Sequence, residues 1–190
     1  YMPKLYRKYS LSKQEHQFVK TLSLAGIGKM IADGGIEDEL GGWIDIDFTG
    51  FADMTFSDYH IRDKRYTTRK IWKQPVIEAC KPMFEHYAMQ FGARTARIDG
   101  MWFAQYKKDA EFKWHTHEGC NTSAIYFMET PNPEDITEFY GIDMPEMKEG
   151  DVAVFPSSIP HRARINKNPE TRKTVVGFNI NICNIKSNLT

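Results

Sequence analysis

The chain has 190 residues, 25 basic against 25 acidic side chains, and a hydrophobic fraction of 41% with 13% aromatic. That is enough for one domain burying roughly 70% of its unfolded surface, and too apolar for disorder. The absence of a basic excess argues against nucleic acid as a partner.

Cys80, Cys120 and Cys183 are odd in number and widely spaced, a poor disulfide framework that suits a reducing compartment. No apolar run approaches the ~18 residues of a membrane helix, and nothing reads as a signal peptide, so the expected location is cytoplasmic.

In chain order, Ser12 and Glu15 stand at capping-box spacing ahead of Phe18, Val19, Leu22 and Leu24. A helix is expected from about Ser12 to Ala32, stopped by Asp33-Gly34-Gly35. Trp43–Phe48 alternates like a strand. Thr49–Thr68 has little periodicity and several aromatics, the mark of a long loop that could serve as a lid. A second helix is expected over Pro75–Phe91, with Val76, Ala79, Cys80, Phe84, Tyr87, Ala88 and Phe91 as its core stripe. Pro82 should bend that helix or mark its true start.

From Ala93 the character changes to short apolar or alternating runs: Ala96–Tyr106, Phe112–His117, Thr122–Met128, Ile136–Tyr140, Asp151–Phe155, His161–Ile165 and Thr174–Ile182. Turn signals at Pro131-Asn132-Pro133, Glu149-Gly150-Asp151 and Asn166–Glu170 separate them. Many short strands at regular spacing indicate a β-sandwich or barrel. The expected organisation is a single domain over 1–190. Residues 1–92 form a helical and strand support with a possible lid, and residues 93–190 form a mainly-β, jelly-roll core.

The chemistry centres on Trp114-His115-Thr116-His117-Glu118. On a strand, residues two apart share a face, so His115 and His117 project together. Alone, the pair reads as ordinary histidines. His161 changes that, because Glu149–Phe155 is a turn and strand, and Pro156–Pro160 a second turn that precedes it. In a double-stranded β-helix this return brings a late histidine to the open end of the barrel, beside an early His-x-His. His115, His117 and His161 are therefore the candidate metal ligands. Imidazole suits iron, zinc, copper and nickel alike. His16 and His86, on the expected helices, read as solvated or satisfied in the core; His60 has no ligand context.

Arg172 and Thr174, at the start of the last strand, are the candidate clamp for a carboxylate. A guanidinium offers a planar fork, and a hydroxyl two residues on shares its face. A register difference of one residue would place Lys173 inside instead.

Residues from about Met101 to Ile182 resemble the 2-oxoglutarate- and iron(II)-dependent oxygenases, in their prolyl-hydroxylase-like and phage or bacterial branches. Gln105-Tyr106 and Phe112–His115 resemble the family's tyrosine strand and first metal histidine. Glu149–His161 resembles its strand-turn-histidine segment, and Arg172-Lys173-Thr174 its Arg-x-Ser/Thr clamp. The resemblance implies a double-stranded β-helix, iron(II) on the three histidines, and 2-oxoglutarate held by Arg172, Thr174 and the Tyr106 hydroxyl. It also implies O2 and a further substrate as partners, with no side chain needed as general base.

The family usually carries His-x-Asp or His-x-Glu, and here the carboxylate position is His117. His117 itself, Glu118 through a bulge, or Gly119 with a free coordination position could stand in that slot. Gly150, Pro156 and His161 also match the second cupin motif. A cupin-type three-histidine dioxygenase without cosubstrate is thus the alternative enzyme, and a jelly-roll binding module the non-enzymatic one. DNA-dealkylating relatives carry a second arginine where this chain has Phe178. Substrate and oligomeric state are not legible.

Overall fold

The computed structural model describes residues 4–37, 42–47, 54–59 and 72–183. Helix α1 (Lys13–Asp33) begins where the capping pattern places it, since Ser12 Oγ accepts the Glu15 N–H at 3.1 Å. It ends at Gly34, whose left-handed φ of 77° lets its N–H return to the Ile31 carbonyl. Helix α2 (Lys73–Met89) starts earlier than expected and runs through Pro82, which is inside it and not its start. The expected stripe is buried from Val76 to Ala88. Cys80 belongs to this packing, and burial pushes its thiol well above the ordinary range.

The strands are β1 (Arg7–Ser10), β2 (Gly35–Glu37), β3 (Trp43–Asp45), β4 (Phe56–Ser57), β5 (Thr95–Tyr106), β6 (Phe112–His115), β7 (Thr122–Glu129), β8 (Glu138–Phe139), β9 (Asp151–Pro156), β10 (His161–Ala163) and β11 (Lys173–Cys183). Six form a major sheet in the order β1-β9-β7-β11-β5-β4, three a minor sheet in the order β6-β10-β8, and β2 pairs with β3. Among the described residues all strand pairings are antiparallel. The mainly-β, jelly-roll expectation holds, with the major and minor sheets as the two layers of a double-stranded β-helix.

Of the loop expected over Thr49–Thr68, the described part is residues 54–59, which includes β4. The lid expectation rests on the remainder and lies outside the described residues, as does Phe48 at the end of the expected Trp43–Phe48 strand. Strands β1, β2 and β4 had no clear periodic signal because each is four residues or fewer.

Period-two alternation sorts the major sheet into two faces. Phe103, Ala124, Tyr126, Val152, Val154, Val176, Phe178 and Ile180 turn outward onto α1 and α2. Phe84 meets Phe178 edge-on at 4.9 Å, and Trp72 meets Phe103 at 5.6 Å. Each fully buried side chain of this size contributes roughly 1.5–3 kcal/mol. His16 also lies here, bonded to Tyr126 at 2.5 Å and to Glu149 at 3.0 Å, and is satisfied in the core as expected. Ala104, Tyr106, Ile125, Phe127, Ala153, Phe155 and Val175 turn inward, toward the minor sheet. The helices brace one side of the major sheet, leaving its other face and the minor sheet to enclose the site.

Candidate metal centre

Between the sheets lies a cavity of about 450 Å³ whose wall includes His115, His117 and His161. Antiparallel pairing of β6 with β10 sets His115 directly opposite His161. Their ring centres are 4.3 Å apart, and that of His117 lies 5.5 Å from His115 and 4.9 Å from His161. Strand β6 stops at His115, short of the expected His117. His117 is held just beyond it, where its N–H reaches the Ser157 carbonyl at 3.1 Å.

The three ligating atoms all lie within 4.8 Å of one another. Two atoms bound to one ion at about 2.1 Å can be about 4.2 Å apart at most. Tetrahedral geometry brings two such atoms to about 3.4 Å, so the widest pair closes by up to about 1.4 Å when an ion draws the rings in.

Each ring is oriented from behind. His115 Nδ1 is 2.7 Å from the Lys113 carbonyl, and His161 Nδ1 is 3.0 Å from the Ile159 carbonyl. A carbonyl only accepts, so both Nδ1 atoms carry the proton and both Nε2 atoms the lone pair. His117 Nδ1 pairs with Ser123 Oγ at 2.9 Å. Burial, with the neighbouring His115 charge second, pushes His117 down to about 4 and His161 down to about 3. Both are thus neutral at pH 7, the form that binds a metal.

Those shifts predict an acid-sensitive metal-free protein. The unfolded chain takes up protons near pH 6.5 that the folded chain refuses at these two rings, so stability falls as pH falls. Between pH 7 and 5.5 the loss should be about 2 kcal/mol by urea unfolding. Substituting leucine for His161 should roughly halve this slope; an unchanged slope would exclude these rings as its source.

The carboxylate clamp is where the structure departs from expectation. Arg172 Nε and Nη2 donate to Glu129 at 2.7 and 3.1 Å, and Thr174 Oγ1 donates to the same carboxylate at 3.0 Å. Arg172 and Thr174 thus come together on Glu129 and not with the histidines, and neither lines the cavity. The reason is register: the inward side chains of β11 are the odd-numbered ones, and Val175, Gly177 and Asn179 line the cavity.

Lys173 shares that inward parity and is buried, 1% exposed. Among the described residues its Nζ has no hydrogen-bond partner; it sits 5.1 Å from the ring centre of Tyr106, which is in the cavity wall, while Lys173 itself is not part of that wall. Burial pushes its ammonium down to about 8, with Asp135 partly offsetting.

Tyr106, expected to hold the cosubstrate, is in the cavity wall. Glu118 lines the cavity from an exposed position. The sequence reading missed Ser123, which orients His117, and Trp102, whose ring lies 5.4 Å from that of His117. Gly177, an isolated glycine inside a strand pattern, was the available signal that something approaches closely there. Among the described residues no helix is long and apolar enough to cross a membrane.

No family model matches the chain, and no curated protein matches it in sequence. Solved structures do match. SnoN, a non-haem alpha-ketoglutarate-dependent epimerase from nogalamycin biosynthesis, superposes with a TM-score of 0.61 at 12% identity, covering 93% of this chain and 77% of that one. AviO1 from Streptomyces viridochromogenes gives 0.60 at 9% identity over 94% and 90%. The viral collagen prolyl hydroxylase of Paramecium Bursaria Chlorella virus-1, solved with 2OG, gives 0.52 at 14% identity over 95% and 97%. At these identities the likeness is one of architecture: the chain is a double-stranded β-helix of the kind on which iron(II)- and 2-oxoglutarate-dependent oxygenases are built.

Proposed function

We propose that the protein is an oxygenase using iron(II) on His115, His117 and His161 and 2-oxoglutarate as cosubstrate. The donor set fits a metal: three imidazoles, two of them kept neutral by burial, each oriented from behind and within 4.8 Å of the others. The observation that carries the cosubstrate is Lys173, a buried ammonium on the inward face of β11 with no hydrogen-bond partner among the described residues. An unpaired buried charge costs several kcal/mol, and a dicarboxylate whose far end reached it would remove that cost. Lys173 takes the part expected of Arg172 and Thr174, and Tyr106 keeps its own.

Bound there, the metal and cosubstrate would supply oxidising power for C–H oxidation, coupled to decarboxylation of 2-oxoglutarate to succinate. The chain's own work is to hold the ligands and aim them. Ser123 and the Lys113 and Ile159 carbonyls fix the rings. Ile125 lines the cavity, and Phe155 packs edge-on against His161 with ring centres 5.0 Å apart.

Anaerobic addition of 2-oxoglutarate to the iron(II)-loaded protein tests this reading. Chelation should produce a weak visible charge-transfer band that saturates with cosubstrate; a spectrum unchanged at millimolar 2-oxoglutarate would refute it. The all-imidazole set favours a second reading, a cupin-type dioxygenase in which the substrate alone binds the metal. Oxygen consumption independent of 2-oxoglutarate would select that one.

A further inference from the structure

The paired strands β5 and β11 carry a graded inner surface. In register, Lys173 faces Tyr106, Val175 faces Ala104, Gly177 faces Trp102 and Asn179 faces Gly100. Trp102 contacts His117, so the histidines stand level with the Gly177–Trp102 pair. Lys173 lies four residues away, about 13 Å along the strand. The surface is thus divided, with a cation at one end and an aromatic wall beside the metal ligands.

That wall is built by leaving a side chain out. A Cβ on Gly177 would stand 2.7 Å from both Cε2 and Cζ2 of Trp102, so the indole lies across the bare backbone. Tyr59 meets it edge-on at 5.0 Å and holds it from the side. Trp102 is still only half-buried, and its remaining surface lines the cavity. A large apolar ring is fixed on one side and open on the other.

The charged groups here are not arranged to receive an anion. Lys73 Nζ donates to the Met101 carbonyl at 2.6 Å and lies 3.9 Å from Asp58. Asp99 is engaged by Arg97 and by Asn181, and Glu118 adds a carboxylate to the wall.

We propose that Trp102 is the stacking platform of a substrate subsite that takes a planar, unsaturated ring without negative charge, set beside His117. The subsite rests on the oxygenase reading only in making this ring the substrate. Aromatic stacking contributes beyond area alone, corresponding to about three- to tenfold in affinity.

The test uses metal-free protein and three probes: benzyl alcohol, cyclohexylmethanol, which differs in ring planarity, and benzenesulfonate, which adds a negative charge. Affinity is read by isothermal titration, and in the wild type also from the Trp102 indole N–H resonance, identified by its loss in Trp102→Leu. Benzyl alcohol should shift this resonance and bind about three- to tenfold more tightly than either other probe. Trp102→Leu should remove the preference for the planar ring, and Gly177→Ala should weaken it by displacing the indole. Equal affinity of benzyl alcohol and cyclohexylmethanol for the wild-type protein would overturn the proposal, with no variant needed. So would shifts confined to other resonances, or tighter binding of benzenesulfonate. Because no metal or cosubstrate is present, this result is separate from the iron and 2-oxoglutarate titration, and either can fail alone.

Discussion

Replacing His161 by glutamine should lower iron(II) affinity by more than about 100-fold while the protein stays folded. Loss of a group that merely orients a ligand typically costs 10–100-fold, and removal of a ligand should exceed that. His161 is 3% exposed and faces His115 across the β6–β10 pair. Glutamine keeps much of the volume and a polar end. Its substitution also removes a ring that burial keeps from protonating, so acid stability should improve. Competition with a coloured chelator gives the affinity, and circular dichroism the fold. A change within threefold would mean that the ion, if bound, sits elsewhere.

The second large effect concerns Lys173. Lys173→Met should raise the dissociation constant for 2-oxoglutarate by about 30- to 100-fold, the size expected for losing a buried, charge-assisted contact. The same change should stabilise the ligand-free protein by about 1–3 kcal/mol, because an unpaired buried ammonium is replaced by an apolar side chain of similar length. Affinity lost and stability gained together would mark a residue kept for binding at the expense of folding. Arg172→Ala is the matched control: its guanidinium is committed to Glu129, so 2-oxoglutarate affinity should change less than threefold. Isothermal titration and urea unfolding on the two variants decide between neighbours in sequence that face opposite sides of one strand. If the arginine variant lost the cosubstrate and the lysine variant did not, the register assigned to β11 would be wrong in solution.

Much of this arrangement was legible beforehand because it follows from local pattern. The Ser12 cap, the buried stripe of α2 and the strand spacing from Ala93 onward are short-range signals, and the structure bears them out. The convergence of His115, His117 and His161 was legible because a return through Pro156–Pro160 leaves few places for the last histidine. The parity of β11 was not. Residues Arg172 to Thr174 offer a cation on either face, and the choice depends on β11 pairing with β5 and β7 at Tyr106 and Glu129, which no local pattern encodes. Trp102 was equally hidden: a tryptophan in an apolar strand reads as core, and its inward parity and the bare Gly177 backbone it lies across follow only from the pairing of β5 with β11.

In the proposed centre, imidazoles from two separate stretches of chain share one ion. X-ray absorption at the iron edge of the anaerobic iron(II)-loaded protein measures that directly. Three imidazole nitrogens at about 2.1 Å, falling to two in His161→Gln, is the predicted result. A first shell without imidazole scattering, or one unchanged by that substitution, would contradict it.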